Sequence, residues 1–279
     1  MYDNRPNQNQ YGGYPPQPQQ YQQYPQYAPV PHAHAQPAYG QPYGAQELYG
    51  EQRYEGDLSE PAVAAFAKKV YAYFGSALLV AMAAAFGGTM AVDHFASVGN
   101  VSAINGIWIG SLVAFFASYL IVVFSRKSHS SLKTGLLYVF AASAGGMLAP
   151  VLMAHVAAGM GMAIVFAFGI ASVIFFGISV YVLATGKDFR GLGSYLVIGI
   201  LVIVGVWLMS LFISFPSVLH TVLMGGGMLL FIGFTLFDTS RVVRDNFYAN
   251  DAVSAAINLL YDFFMLFRYA LYFMGASRD

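Results

Sequence analysis

Seven long apolar segments dominate the chain and constrain its fold more than any other feature. Each has at least about twenty residues, the length that an α-helix needs to cross the hydrocarbon core of a bilayer. Backbone groups inside lipid are satisfied only in helices or closed barrels, and segments this long and apolar favour helices. We therefore predict an all-α polytopic membrane protein with seven transmembrane helices, near residues 67–91, 104–125, 132–154, 160–184, 192–214, 218–241 and 254–275.

The composition agrees with a membrane protein. The chain is 57% hydrophobic and 9% charged, whereas soluble globular domains contain about 25% charged residues. The formal net charge is zero, so no basic surface indicates binding to nucleic acid. Because the chain has no cysteine, it has neither disulfides nor a cysteine nucleophile or thiolate metal site.

Residues 1–57 differ in character from the rest of the chain. They are rich in Gln, Pro, Tyr, Gly and Ala and contain almost no aliphatic side chains. Such a segment cannot bury enough apolar surface to offset its loss of conformational entropy. We predict a disordered tail over residues 1–57 and a seven-helix transmembrane domain over residues 58–279.

The basic residues predict the orientation in the membrane. Lys and Arg occur before the first segment and in alternate connections, and the other three connections have none; the basic set comprises Arg53, Lys68, Lys69, Arg126, Lys127, Lys133, Lys187, Arg190, Arg241 and Arg244. Cytoplasmic loops carry such an excess of basic residues. We expect a cytoplasmic N-terminus and an external C-terminus. Without a signal-peptide pattern, a bacterial inner membrane is the expected location.

Two aspartates lie inside the last two apolar segments. Asp238 and Asp262 are each 12 residues from Asn250, near the centre of the connecting turn. In an antiparallel helix pair this symmetry places both carboxyl groups at a similar depth. Buried ionisable groups in membranes usually mark function, and two facing carboxylates are expected to share a proton near neutral pH. They would form a proton sensor or a weak Ca²⁺ site, since Ca²⁺ prefers six to eight oxygen ligands.

The same residues allow a structural interpretation. Asp238 would then cap a helix end or extend towards water, and Asp262 would pair with an arginine. In the turn between the two segments, Asp245 and Asp251 lie beside Arg241 and Arg244. This group either forms surface ion pairs or attracts cations to a pore mouth.

Catalytic classes fit the sequence poorly. A retinal protein would need a lysine in its last span, and no lysine follows Lys187. The apolar segments lack the paired histidines of a zinc hydrolase, and no glycine-rich nucleotide motif follows a strand. We expect a protein that is not an enzyme and has no cofactor.

Several motifs resemble the transmembrane Bax inhibitor motif family, also called the Bax inhibitor-1 family, in its bacterial form. They are LFDTSRVVRD and AINLLYDFFMLF in the last two segments, SVIFFGISVYVLATGKDFRGLGSYL across the fourth and fifth, and GGMLAPVL in the third. The resemblance covers residues 60–279. Met265 departs from the family pattern, where Asn is usual. Arg268 is an unusual charge inside the last segment, where it would pair with an aspartate or face a cavity.

The resemblance implies a fold, a site and two functions. In this family six helices surround a central seventh. Two aspartates, which match Asp238 and Asp262, form a pH-responsive dyad that gates a slow Ca²⁺ leak. An arginine at the end of the second span latches onto the dyad in a closed state; Arg126 matches it best, with Lys127 as the alternative. Some bacterial members instead modulate a membrane-anchored AAA protease that engages their N-terminal tails. A pH-gated cation leak and a non-conducting protease regulator are therefore the two functional hypotheses.

Overall fold

A computed structural model describes residues 60–124, 130–210, 212–213, 216–244 and 251–276. These residues form seven long helices and one short 3-10 helix, Arg190–Leu192, and the described ranges contain no β-strand. The predicted tail over residues 1–57 lies outside them. The helices are α1 (Glu60–Ser97), α2 (Val101–Phe124), α3 (Ser130–Ala157), α4 (Gly161–Thr185), α5 (Gly193–Ser210), α6 (Ser217–Arg244) and α7 (Ala252–Ala276).

The seven helices confirm the seven predicted segments. The largest difference is at the start of α1, which begins at Glu60, seven residues before the first apolar segment. Pro61 lies in the first turn, where its missing N–H is not needed and its fixed φ suits a helix. The alanine-rich sequence that follows extends the helix towards the apolar residues.

Helix α7 differs from the other six in both composition and position. Helices α1 to α6 are long and apolar enough to cross a membrane. Helix α7 is not among these six, and it carries the charged residues Asp262 and Arg268 along its length. A carboxyl group such as that of the buried Asp262 is tolerated at membrane depth when it faces protein instead of lipid.

The packing places α7 inside the bundle. It contacts α1, α2, α3, α4 and α6, and α5 packs chiefly against α6. Most of its side chains are buried, and the large apolar side chains exposed on the described surface belong to the other six helices or their connections. This confirms the expected arrangement of helices around a central seventh, with α5 in a peripheral place.

Glycine lets α1 and α3 approach closely. A Cβ atom at Gly145 of α3 would collide with the carbonyl oxygen of Ala81 and would lie 2.7 Å from the backbone nitrogen of Ala85, both in α1. Small residues at helix crossings bring backbones together in this way in membrane proteins. The contact holds α1 and α3 against each other on one side of α7.

We predict that Gly145→Ala destabilises the bundle. The added methyl meets helix backbone, which cannot move aside as a flexible side chain can, so the free energy of unfolding should fall by about 1–3 kcal/mol. Thermal unfolding of the purified protein in detergent measures the effect. Gly135→Ala is the control in the same helix, because its methyl would meet no atom within 4 Å; equal unfolding temperatures for the two variants would contradict the close contact.

Candidate functional site: two carboxylates between α6 and α7

The structure brings Asp238 and Asp262 together in the interior of the bundle. Asp238 lies on α6 and is 8% exposed, and Asp262 lies on α7 and is 1% exposed. The two carboxyl groups are close enough to interact electrostatically. The two aspartates lie on helices that pack against each other. Their function in gating remains a prediction.

The two carboxyl groups have different surroundings. The Nη1 atom of Arg241, one turn along α6, lies 3.8 Å from Oδ1 of Asp238, which is an ion-pair distance but too long for a hydrogen bond. The Arg241 guanidinium also lies 5.4 Å from the centre of the Phe237 ring. No described residue donates a hydrogen bond to Oδ2 of Asp262. The arginine in the described site thus pairs with Asp238, whereas the structural interpretation of the sequence paired an arginine with Asp262.

A cluster of aromatic side chains lies near the pair. Tyr119 of α2 interacts electrostatically with both carboxyl groups, and its ring centre lies 5.9 Å from that of Tyr261 on α7. Tyr261 also contacts Phe231 of α6 and Phe115 of α2, at 5.5 and 5.9 Å between ring centres. Sequence reasoning missed Tyr119. An amphipathic tyrosine inside an otherwise apolar segment was the available signal.

Thr239 follows Asp238 in the sequence but faces other residues. Its side chain and that of Ser179 on α4 lie near the hydroxyl of Tyr71 on α1. All three hydroxyl oxygens are buried, and among the described residues none of them makes a hydrogen bond of good geometry. The polar interior therefore continues from the carboxylates into a second group of hydroxyls between α1, α4 and α6.

Asp251 forms an ion pair that the sequence did not predict. Its Oδ2 atom lies 2.5 Å from Nζ of Lys133, at the start of α3, and it also accepts hydrogen bonds from Ser254. Lys133 is buried. Burial alone would raise the pKa of Asp251, but the hydrogen bonds from Lys133 and Ser254 outweigh it and hold that pKa below its usual value. Asp251 thus joins the starts of α3 and α7, whereas the sequence placed it among Arg241 and Arg244.

Arg244 has a structural role at the end of α6. Its side chain donates hydrogen bonds to the carbonyl oxygen of Gly186, 2.7 Å from Nε. Gly186 ends α4 in the left-handed region, with φ of +59°, a conformation that glycine adopts without strain. Arg244 thereby connects the ends of α4 and α6. Nearby, hydrogen bonds from Arg190 hold the pKa of the partly exposed Asp188 below its usual value.

The remaining predicted residues fall into two groups. Arg268 is exposed and faces a cavity, which is one of its two expected arrangements. Arg126, Lys127 and Asp245 lie outside the described residues. Within the described ranges, no group of three His, Asp or Glu side chains converges on a point that could hold a metal ion.

We predict that Asp251→Asn lowers the free energy of unfolding by about 1–3 kcal/mol, because it leaves the buried Lys133 ammonium without its counter-charge. The amide oxygen of Asn still accepts a hydrogen bond from Ser254, so the helix cap is retained. Asp188→Asn, in the more exposed pair with Arg190, is the matched control and should cost less than about 1 kcal/mol. Thermal or denaturant unfolding in detergent measures both.

The same variant has an expected pH dependence. A carboxyl group with a lowered pKa in the folded protein contributes stability above its unfolded pKa and loses it as the pH falls through the folded pKa. The difference in the free energy of unfolding between wild type and Asp251→Asn should therefore have its largest value at neutral pH. It should shrink in acid below the usual aspartate pKa. A difference that grows in acid would contradict the Lys133–Asp251 pairing.

Comparisons with known proteins agree with this architecture. The family model for the inhibitor of apoptosis-promoting Bax1 matches residues 63–279. A Helicobacter pylori (strain J99) protein, described as uncharacterized, is 31% identical over 223 residues, covering 80% of this chain and 91% of the relative. A Vibrio cholerae protein described as an uncharacterized membrane protein is 30% identical over 172 residues, covering 61% of this chain and 76% of the relative.

A third relative has a named function. The Escherichia coli K12 protein YccA, described as a modulator of FtsH protease, is 30% identical over 173 residues, covering 61% of this chain and 77% of the relative. YccA of another E. coli strain is described as an inner membrane protein. Because the family model matches nearly all of the helical part, this chain belongs to the Bax inhibitor-1 family of integral membrane proteins.

Proposed function

We propose that this protein is a pH-sensitive Ca²⁺ leak channel in which Asp238 and Asp262 form the gate. The observation that carries the proposal is the burial of both carboxyl groups, in electrostatic contact, between α6 and the central α7. Inside a protein two adjacent carboxylates cannot both keep their charge at low cost. Their shared protonation state would therefore respond to pH, without catalysis or a resident cofactor.

Protonation would act by changing the partners of the pair. With one proton shared, the carboxyl groups can hydrogen bond to each other. When that proton leaves, the second negative charge must be balanced by a cation, either Arg241 at its present 3.8 Å from Asp238 or an entering metal ion. Arg126, which follows α2 in the sequence, remains the proposed latch. Competition between arginine and Ca²⁺ for the same oxygens would couple proton loss to opening.

The donor set supports passage of Ca²⁺ better than storage. Two carboxylates supply four oxygen atoms at most, whereas a stable Ca²⁺ site uses six to eight. The nearby Tyr119 and Tyr261 can add weak oxygen ligands but also place aromatic rings beside the pair. We place the constriction at these rings and the carboxylates.

Protease regulation is the second proposed function. It is favoured by the relative YccA, which is described as a modulator of FtsH protease. We propose that residues 1–57 would contact such a membrane-anchored AAA protease from the cytoplasmic side. The inner membrane, a cytoplasmic N-terminus and an external C-terminus form part of this proposal, which requires no conduction.

We expect Ca²⁺ influx into proteoliposomes to change between about pH 6 and pH 8 for the wild type. Asp238→Asn and Asp262→Asn should each reduce the ratio of the fluxes at the two pH values to about 1, because a single carboxyl group has no partner with which to share a proton. Asp188→Asn removes an exposed carboxylate and is the control, which should retain the wild-type ratio. Flux no higher than that of empty liposomes, from protein shown to be folded, would contradict the channel.

Deleting residues 1–57 separates the two functions. We expect the truncated protein to conduct Ca²⁺ with the wild-type pH dependence, because the deletion leaves α1 to α7 intact. If it also regulates a protease, co-purification with the membrane-anchored AAA protease and the effect on proteolysis should both be lost. Loss of flux together with an intact fold would contradict a gate located in the helical domain.

A further inference from the structure

Arg268 is the one exposed charge on the described part of α7, and its surroundings offer it no counter-charge. None of the ion pairs among described residues includes it. It faces a cavity of about 200 Å³ between α2, α3 and α7 whose other lining residues are apolar or aromatic. A guanidinium group cannot lose its proton, so it must be balanced by an anion or by water. The protein around the cavity does not supply the anion.

The mouth of this cavity opens on the side of the bundle that meets lipid. Trp108 and Phe116 of α2 and Val151 of α3 line the cavity and are also exposed. The opening therefore lies between α2 and α3. An occupant could enter sideways from the bilayer without passing the carboxylate pair.

The cavity lies in the half of the bundle nearer the C-terminal end of α7. Arg268 lies eight residues before Ala276 at the end of α7, which is about 12 Å along the helix axis. Trp108 lies seven residues after Val101 at the start of α2. Tryptophan is enriched where lipid headgroups begin, and long arginine side chains reach towards that level. The phosphate of a phospholipid is the abundant anion at that headgroup level.

We propose that the cavity between α2, α3 and α7 is a binding site for a phospholipid of net negative charge. The guanidinium of Arg268 binds the phosphate, with geometry suited to two parallel hydrogen bonds. The apolar walls, including Leu112 and Met147, contact the glycerol and the upper acyl chain. This assignment is independent of the proposed conduction and protease regulation.

The test measures phospholipid retention by the full-length protein. Protein purified in detergent is exchanged into equal amounts of phosphatidylglycerol and phosphatidylcholine, and bound lipid is counted by native mass spectrometry. We expect the wild type to retain phosphatidylglycerol in preference, and Arg268→Gln to reduce that preference by about tenfold, as expected for a lost charge-assisted contact. Arg268→Lys keeps the positive charge and should retain part of the preference for phosphatidylglycerol.

A second variant separates the cavity from a simple surface charge. Val151→Trp fills the mouth while leaving Arg268 in place, and it changes a side chain that is already exposed, so the fold should tolerate it. It should also abolish the preference, whereas Lys187→Gln, which removes an exposed cation elsewhere, should not. Thermal unfolding confirms the fold of each variant.

Three results would overturn the proposal. The first is a wild type without preference for phosphatidylglycerol. The second is a preference that survives Val151→Trp, which would mean that Arg268 attracts headgroups only at the surface. The third is a change in oligomeric state for Arg268→Gln with lipid retention unaltered, which would assign the cavity to a second copy of the chain.

Discussion

The burial of two carboxyl groups at membrane depth is the constraint on which the rest of this structure depends. Charged side chains at the centre of a bilayer are expensive, so Asp238 and Asp262 require an interior that lipid does not reach. Six apolar helices provide the material for that interior, and α7 occupies it. The composition of α7 follows from its position: it carries Asp262 and exposes no large apolar side chain in the described structure.

Contacts at both sides of α7 keep this interior closed. Glycine brings α1 and α3 into backbone contact, and the Lys133–Asp251 pair joins α3 to the first residue before α7. Arg244 connects α6 to the end of α4. These contacts involve every helix that neighbours α7 except α2. Tyr119, from α2, instead interacts electrostatically with the carboxyl groups, so the position of α2, like that of α6, is coupled to the charge of the pair.

Patterns within single segments were sufficient to predict the helices. Seven apolar stretches give seven helices because a helix satisfies the hydrogen bonds of its backbone N–H and C=O groups within the segment. That Asp238 and Asp262 would lie near each other was expected from their spacing, since an antiparallel helix pair with a short turn fixes which residues lie opposite each other; their action as a dyad stays a prediction. The family motifs covered the same region, and the family model confirms them over residues 63–279.

Contacts between distant segments could not be read from the sequence. Lys133 and Asp251 are 118 residues apart, and a nearer arginine made a false partner for Asp251 in the sequence alone. Tyr119 was missed because nothing in α2 indicates which of its faces meets α7. The peripheral place of α5 depends on how the helices pack. The segment Gly193–Ser210 is uniformly apolar and has no distinct polar face from which its packing could be predicted.

The central claim is that Asp238 and Asp262 act as one titrating unit. Infrared difference spectroscopy of the protein in lipid, recorded from about pH 6 to pH 8, detects protonated carboxyl groups directly. The account predicts a carboxyl transition in the wild type that both Asp238→Asn and Asp262→Asn eliminate, because each removes half of the shared site. If each substitution removes only its own signal and leaves the other carboxyl group titrating as in the wild type, the two aspartates are independent and the dyad is contradicted.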